Sequence, residues 1–387
     1  MKKYIIIAAA AIAAMACSKV EVNDTTPDVK VTFQAANYVA QTKADGDPVS
    51  VLDDFTAFKC RAFLHAEGVD LNNDGTVKTG ATNYQEFFGD SGETITYNNS
   101  DAWEPSHTYY WPKGTQSFVN FAGWYSTTGI TPSLSYTYTS SKWTATMGWS
   151  FSNSTVGEDG INILYADMAW RYKSNADAKY KLDGVTEGVP MLFHHALAQI
   201  NVKAYAYGNT GALTAGSTGT VTDGTATWTI TLTNVKITPV YTAGTLSLTN
   251  ADPTTKKTQE WSTDGWSVSG TAGDLARTGT VAVDQIAKPA VATTTGDVIA
   301  ATCVLPQTIG NTVKLSFDLN IHTAYSAGQS NDEIIHKDIL LNTMGTSAWA
   351  MNTKYTYYLK VVPSQSEVLF DPALEADWAS VTSEQGI

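Results

Sequence analysis

The sequence predicts an all-β protein built from two tandem β-sandwich domains. Short segments alternate between apolar and polar residues along most of the chain, the period of strands with one buried face. Gly, Pro and Asn clusters separate these segments, and no stretch of twelve or more residues has a convincing helical period. With 387 residues, the chain is long enough for two domains that each bury a core.

Composition describes a globular, acidic protein. Hydrophobic residues make up 43% of the chain and charged residues 16%, which is far from the composition of a disordered chain. The formal net charge is −13. Such a surface repels phosphate backbones, so nucleic acid is not an expected partner.

The N-terminus has the pattern of an export signal. Lys2 and Lys3 precede a short apolar run, and residues 1–16 are predicted to be a signal peptide. Cys17 follows small residues and resembles the lipidated cysteine of a bacterial lipobox. Residues 17–28 are then a polar tether, and acyl chains on Cys17 would anchor the protein to the outer membrane. An ordinary signal peptide with an incidental cysteine is the alternative.

Residues 29–186 are predicted to form the first domain. It begins with a strand whose apolar face is Val29, Val31 and Phe33, and a polar loop with Gly46 and Pro48 follows. A later stretch, 118–125, is apolar on both faces, which is typical of a central strand between two layers.

Residues 187–387 are predicted to form the second domain, after a Gly- and Pro-containing linker at 183–190. Its cleanest strand pattern runs from Val313 to Ile321, and another runs from Tyr355 to Val361. A weaker extended segment lies within 364–387. Such a terminal strand either pairs in its own sheet or adds to the sheet of another chain, and the residues leave both open.

Two local motifs imitate functional sites. Asp70 to Ala81 begins like a calcium loop, but Ala81 stands where a bidentate Glu is required. Gly89-Asp90-Ser91-Gly92 spells the nucleophile signature of trypsin-like proteases without the His and carboxylate that a nucleophilic Ser requires. Both are interpreted as turns, so no catalytic site, metal site or cofactor is predicted.

The remaining histidine and cysteine candidates are also interpreted as structural. His194 and His195 are neighbours in a strand pattern, so they point to opposite faces and cannot share one metal ion in regular geometry. Cys60 and Cys303 lie on strand patterns of different predicted domains and are expected to be buried small hydrophobes. A disulfide between them is the alternative.

Several stretches form a specific pattern when they are taken in order. They are Tyr109-Tyr110-Trp111-Pro112 with 118–121, Phe193 to Ile200, Ile237 to Leu248, Leu305-Pro306-Gln307-Thr308, Trp349 with 354–357, and Leu369-Phe370-Asp371-Pro372 with Trp378. This order resembles the fimbrillin family, the lipoprotein pilins of Bacteroidetes type V fimbriae. The resemblance spans nearly the whole chain and implies that both sandwiches are transthyretin-like.

The resemblance also implies a mechanism of assembly. In this family a protease removes the first strand, and a donor strand from another subunit fills the groove that is left. Here the expected cut follows Lys43, before Ala44, and residues 29–43 would be removed, although the family usually has Arg at the cut. The alternative is that Lys43 is simply a solvated loop residue. The displaced side chains are Val29, Val31 and Phe33. The expected donor side chains are Leu369, Phe370, Leu374 and Trp378.

The resulting hypothesis is a structural pilin and not an enzyme. Its partners are other fimbrillin subunits, with a stalk role favoured over an anchor role, and its place is the cell surface and the fimbria. A host protein or a glycan is the class of adhesion ligand. The alternative hypothesis is a monomeric surface lipoprotein that uses some of its eleven tryptophans to bind glycans.

Overall fold

The structure is a computed structural model that describes most of the chain from residue 30 to residue 376. The described residues are 30–37, 55–66, 70, 72, 78, 84–98, 103–112, 118–127, 129–139, 142–153, 155–156, 161–172, 188–208, 212–217, 219–251, 258–259, 261–286, 298–344 and 347–376. Cys17, Val29, Lys43, Ala44, Ala81 and Trp378 lie outside them.

The described residues form β-strands and two short 3₁₀ turns, at Leu341–Met344 and Pro363–Gln365. The first thirteen strands are β1 (Phe33–Asn37), β2 (Ala57–His65), β3 (Gln85–Glu86), β4 (Glu93–Tyr97), β5 (Trp103–Pro105), β6 (Phe118–Ser126), β7 (Ser133–Thr139), β8 (Lys142–Ser152), β9 (Thr155–Val156), β10 (Ile163–Ala166), β11 (Met168–Tyr172), β12 (Val189–His195) and β13 (Ala198–Ala206). The next fifteen are β14 (Thr214–Ala215), β15 (Thr220–Thr222), β16 (Ala226–Val240), β17 (Ala243–Ala251), β18 (Thr258–Gln259), β19 (Trp266–Ser269), β20 (Gly273–Arg277), β21 (Val281–Ala282), β22 (Val298–Val304), β23 (Gln307–Thr308), β24 (Lys314–Tyr325), β25 (Ser330–Leu340), β26 (Ala348–Trp349), β27 (Thr353–Val362) and β28 (Glu367–Ala376).

The largest sheet closes on itself. Its ten strands follow the order β18-β11-β6-β10-β12-β1-β5-β4-β2-β3, and β6 also pairs with β2. The extra pairing joins β6, β10, β12, β1, β5, β4 and β2 into a ring, and closure leaves none of these strands as an open edge. β1 therefore completes the ring between β12 and β5.

The ring encloses an apolar core, here called the ring core. Every strand of the ring contributes to it, because side chains that alternate along each strand point inward at every second position. Its members include Val31, Phe33, Ala35, Phe58, Cys60, Ala62, Ile95, Trp103, Val119, Phe121, Leu164, Ala166, Val189, Met191 and Phe193.

A second layer packs on the outside of the ring. It is the four-stranded sheet β19-β17-β8-β7, whose inner face presents Trp149 and Leu246 at directly opposite positions. Together with outward-facing residues of the ring, such as Phe63 and Trp124, they form one core cluster. Burial of this aromatic face holds the two layers together.

Pairings cross the predicted boundary between residues 186 and 187. β12 lies next to β1 in the ring, and β17 pairs with β8 over nine residues in register. β9 likewise pairs with β20 in a third sheet, so strands from both sides of the boundary share three sheets. The division into residues 29–186 and 187–387 stays a prediction.

A second sandwich, here called the C-terminal sandwich, is built from strands that follow the predicted boundary, together with β9. An eight-stranded sheet with β16 and β24 at its centre packs against the four-stranded sheet β22-β13-β27-β28. Leu315, Phe317, Leu319 and Ile321 of β24 all point into the core between these sheets, as their alternation predicts.

The prediction of an all-β sandwich protein is confirmed. No α-helix occurs among the described residues. β6 is buried from Phe118 to Trp124 and pairs on both edges, which confirms the prediction of a central strand. The short strands β14 and β15 extend the edge of β16, with Val221 opposite Trp228.

Candidate assembly site

The first described strand is held on both sides. β1 runs parallel to β12, with Phe33 opposite Val189 and Asn37 opposite Phe193. On its other side it meets β5 in a single antiparallel pairing, Phe33 with Trp103. The position that β1 occupies between β12 and β5 is here called the β1 site. Because the pairing with β5 is short, one wall of this site consists of irregular chain after Pro105.

Aromatic side chains surround Phe33 at the centre of the ring core. The Phe33 ring meets Phe121 edge-on at 5.4 Å and Phe58 edge-on at 6.1 Å between centroids. Phe88 lies at 6.1 Å on a third side. Only 1% of Phe33 is exposed, and 2% of Val31. Burial of these two side chains stabilises the β1 position by roughly 3–6 kcal/mol.

Backbone hydrogen bonds extend the β1 site beyond the strand itself. The Val31 amide donates to the Tyr109 carbonyl oxygen at 2.9 Å, and the Val189 amide donates to the Thr32 carbonyl oxygen at 2.8 Å. Gly188 lies against β1 with φ +116°, where a Cβ atom would stand 3.1 Å from the Phe33 carbonyl carbon. A side chain at position 188 would therefore strain the backbone and crowd β1.

Glu93 organises the irregular wall. Its carboxylate accepts hydrogen bonds from the Tyr109 hydroxyl at 3.0 Å and from the His107 amide and Nδ1 at 3.1 Å each. The Ser106 hydroxyl donates to the same carboxylate. Burial alone would raise the pKa of Glu93, but the hydrogen bonds from Ser106, His107 and Tyr109 outweigh it and lower that pKa. Burial and the neighbouring carboxylate raise the pKa of Tyr109.

The C-terminal segment pairs within the same chain. β28 is the outer strand of its sheet and runs antiparallel to β27, with Val368 opposite Val361 and Phe370 opposite Leu359. A turn at Pro363–Gln365 connects the two strands, and Ser366 takes the left-handed conformation with φ 52°. Of the two options for this segment, the structure therefore has it paired in its own sheet.

The outer position of β28 agrees with its sequence. Pro372 lacks a backbone N–H, and the register shifts between Thr356 and Tyr358 on the facing strand, opposite the stretch that contains it. Proline in a strand is confined to edges and bulges, because it cannot donate to a ladder. The outer edge of this strand is open to a further strand in the described part of the molecule.

The structure brings only some of the predicted site residues together. Both Val31 and Phe33 are buried in the ring core, but β1 begins at Phe33, so the strand starts later than predicted and Val31 precedes it. Leu369, Phe370 and Leu374 lie in β28, which belongs to a different sheet of the chain. The displaced-strand site and the donor segment are thus separate within one molecule.

Three residues of the β1 site could not be assigned to it from the sequence. Glu93 follows the protease-like motif and carries no signal of its own, and Gly188 lies in a stretch that reads as a linker. Tyr109 belongs to the aromatic motif Tyr109-Tyr110-Trp111-Pro112. Only that motif, just before a predicted strand, marks the segment that contacts β1.

The imitated motifs are structural where they are described. The Gly92 amide donates to the Gly89 carbonyl oxygen at 3.1 Å, and both glycines have positive φ, which confirms a turn. Asp70 is buried and its two carboxylate oxygens contact His65 Nδ1 and the Ala66 amide. Of the stretch from Asp70 to Ala81 the structure describes residues 70, 72 and 78, and the Lys78 amide donates to the Asp70 carbonyl oxygen at 2.8 Å.

The paired histidines face different partners, as predicted. His194 Nε2 lies 2.8 Å from Asp167 Oδ1, whereas His195 Nδ1 lies 3.2 Å from Asn162 Oδ1. Burial, with the positive charges of His194 and Lys354 nearby, lowers the pKa of His195 to about 3. Both histidines are therefore structural.

The described residues contain no disulfide, no metal-binding cluster and no helix that could span a membrane. Cys60 and Cys303 are both buried and form no disulfide. Within the described ranges, no cluster of three or more His, Cys, Asp or Glu side chains is arranged to hold a metal ion. No helix in the part of the chain that the structure describes has the length and apolar character to span a membrane.

Solved structures of two Bacteroides proteins are similar to this chain. The chain has no significant match among curated proteins. Among solved structures it is similar to a fimbrial protein from Bacteroides vulgatus, at 15% identity and a TM-score of 0.45 over 90% of this chain and 99% of that chain. It is also similar to a candidate cell adhesion protein from Bacteroides uniformis, at 14% identity and a TM-score of 0.42 over 91% of this chain and 98% of that chain.

The chain also matches a third solved structure and the model of one protein family. The fimbrial anchor protein Mfa2 from Porphyromonas gingivalis matches at 9% identity and a TM-score of 0.26 over 90% of this chain and 99% of that chain. The model of the fimbrillin-like family matches residues 68–378. Because that match covers most of its length, the chain belongs to the fimbrillin-like family.

Proposed function

We propose that this protein is a structural pilin subunit of a fimbria, without enzymatic activity, that polymerises by strand exchange. A protease cuts between Lys43 and Ala44, the first strand leaves, and residues from 364–387 of a neighbouring copy take its place. The donor side chains are Leu369, Phe370, Leu374 and Trp378.

The observation that supports this proposal most strongly is the place of β1 in the ring. Its removal would open the ring and expose the edges of β12 and of the chain around Tyr109. It would also uncover the aromatic rings that surround Phe33. An open sheet edge above an apolar groove is the kind of site that an extended apolar strand fills.

The donor segment has the properties that exchange requires. β28 is an outer strand attached to the rest of the chain through one neighbour, β27. Its release would break the ladder with β27 and the contact that Val368 makes with the core cluster of the C-terminal sandwich. We propose that the segment pairs with β27 before assembly and with a neighbour afterwards.

Export and location belong to the same proposal. Residues 1–16 are removed as a signal peptide, acylated Cys17 holds the precursor at the outer membrane, and residues 17–28 are the tether. A stalk role, with cut and donor, is favoured over an anchor role that keeps the first strand and the lipid. The fimbria serves cell adhesion.

Intact mass and N-terminal sequence of the protein sheared from its native cell surface test this proposal. A chain that begins at Ala44 without lipid is expected for a stalk subunit. A chain that begins at acylated Cys17 and needs detergent for release would rule out the stalk role.

Assembly has its own test. An excess of a synthetic peptide of residues 364–378 is expected to stop polymerisation of the processed protein, since it occupies the groove without adding a further donor. A peptide with Leu369 and Phe370 replaced by Asp is the control. Equal polymerisation with both peptides would contradict strand exchange through these residues.

The alternative of a glycan-binding lipoprotein has less support. Seven of the tryptophans whose burial is described are at most 6% exposed, and none of the exposed large hydrophobic side chains in the described ranges is a tryptophan. Stacking on a sugar ring requires an exposed aromatic face. The buried aromatic rings support sandwich cores instead.

A further inference from the structure

The wall of the β1 site between Ser106 and Tyr109 is not part of a regular ladder. β5 ends at Pro105, and the next backbone bonds of this segment are the Ser106 amide to Thr94 and the Tyr109 carbonyl oxygen to Val31. The second of these bonds is made to the segment that would leave. Once residues 29–43 are gone, this backbone bond no longer holds Tyr109.

Glu93 binds the Ser106–Tyr109 segment through hydrogen bonds that do not involve β1. The residue lies in β4, between β2 and β5 in the ring, so the ladder with β2 fixes its position. Only 6% of its side chain is exposed, and its carboxylate accepts from Ser106, from the amide and ring of His107, and from Tyr109. One charged group thereby binds both ends of the irregular segment.

The ring of Tyr109 connects the segment that Glu93 binds to the aromatic side chains of the groove. The Tyr109 ring lies 4.6 Å from Phe88, whose ring in turn lies 6.1 Å from Phe33. The hydroxyl at one end of Tyr109 is bound by Glu93, and its backbone carbonyl oxygen is the acceptor for Val31. The position of the acceptor therefore depends on the position of the carboxylate.

We propose that Glu93 is a positioning residue that keeps the Ser106–Tyr109 wall in place while the groove is empty. The incoming strand of a second copy then finds the Tyr109 carbonyl oxygen already placed to accept one of its amides, as it accepts that of Val31. Buried hydrogen bonds to a charged acceptor are strong, and a preorganised edge avoids the cost of ordering the segment during binding. This inference rests on the proposed strand exchange.

The test uses the full chain with a site-specific protease sequence placed at 43–47. After cleavage, stopped-flow fluorescence follows the uptake of a labelled peptide of residues 364–378. Glu93→Gln keeps the shape of the side chain and removes its charge. Glu104→Gln is the matched control, because Glu104 is an exposed acid in the adjacent strand β5. Urea unfolding of each uncleaved variant verifies the fold.

We expect Glu93→Gln to slow peptide association at least about tenfold, the effect of losing one buried hydrogen bond to a charged group. Glu104→Gln should leave the rate unchanged. Ser106→Ala, which removes one of the donors, should give an intermediate rate and serves as the milder variant if Glu93→Gln does not fold. Equal association rates for Glu93→Gln, Ser106→Ala and the wild type would overturn the inference.

Hydrogen exchange separates this inference from the proposed function. The His107 amide donates to Glu93 Oε1, so it should stay protected in the cleaved wild type and exchange at least about tenfold faster in Glu93→Gln. If the cleaved wild type takes up no peptide, strand exchange is wrong, whereas protection of His107 still reports on the wall. Loss of this protection in the cleaved wild type would overturn the positioning role itself.

Discussion

His65 Nδ1 lies 2.6 Å from Asp70 Oδ2, and neither side chain is accessible to solvent. Burial lowers the pKa of His65 although Asp70 opposes the effect, so the ring is neutral at pH 7. In the neutral ring Nδ1 donates to Asp70, and Nε2, at 3.0 Å, accepts from the Tyr136 hydroxyl. The bond from Tyr136, a residue of β7, links β2 to the sheet that covers the ring.

Removal of the Asp70 carboxylate should destabilise the protein. Asp70→Ala leaves the neutral His65 ring and the Ala66 amide without this acceptor in a buried place, and we expect a loss of about 1–3 kcal/mol in the free energy of unfolding for each of these two donors. Urea unfolding measures it, with the exposed turn residue Asp90→Ala as the control. A loss equal to that of the control would show that the pair contributes nothing.

Acid should unfold the protein partly through His195. The folded pKa of about 3 lies below the ordinary value of 6.5, so the unfolded chain binds a proton between these values and the folded chain does not. Stability contributed by the neutral ring is present above pH 6.5 and falls by about 1.4 kcal/mol per pH unit as the pH drops toward 3.

The variant His195→Gln should flatten this dependence, because Gln does not titrate. Urea unfolding at several pH values from 7 to about 4 measures the slope for each protein. His322→Gln, at an exposed site beside Asp332, is the control and should keep the wild-type slope. An unchanged slope in His195→Gln would mean that the ring is protonated in the folded state.

Gly188 should tolerate alanine far less well than another glycine of positive φ. Both Gly188→Ala and Gly224→Ala carry the backbone strain, but a Cβ atom at 188 meets β1, whereas one at 224 meets nothing within 4 Å. We expect Gly188→Ala to cost about 1–3 kcal/mol more in unfolding free energy, the usual range for overpacking. Equal losses would place the β1 backbone farther from residue 188.

The indole of Trp349 should depend on the Tyr357 hydroxyl. Trp349 Nε1 donates to that oxygen at 2.9 Å, and both side chains are at most 1% exposed. Tyr357→Phe leaves the buried indole N–H without this acceptor, and we expect a loss of about 1–3 kcal/mol by urea unfolding. Tyr207→Phe, at an exposed site, is the control. A loss no larger than that of the control would contradict a stabilising role for the bond.

Alternation along single strands could be predicted well because it depends on neighbouring residues alone. The stretch from Val313 to Ile321 has large apolar side chains at every second position, and its burial follows from that spacing. The apolar run of β6 likewise indicates burial on both faces. The turn at 89–92 follows from its glycines.

Contacts between distant stretches could not be predicted. β17 joins β8 and β12 joins β1, although each pair lies on opposite sides of a stretch that reads as a linker. Glu93 looks like any surface acid in the sequence, and its role depends on four hydrogen bonds from a segment that starts thirteen residues later. A periodic pattern marks the face of a strand, not its partner.

The all-β class, the alternating faces of single strands and the family can be predicted without coordinates, because they depend on local patterns and on the order of motifs. That β1 closes a ring and that β28 pairs with β27 in its own sheet is seen only in three dimensions. Both are choices among possible partners for an edge. They depend on which surfaces meet when the whole chain packs, and no local spacing records that.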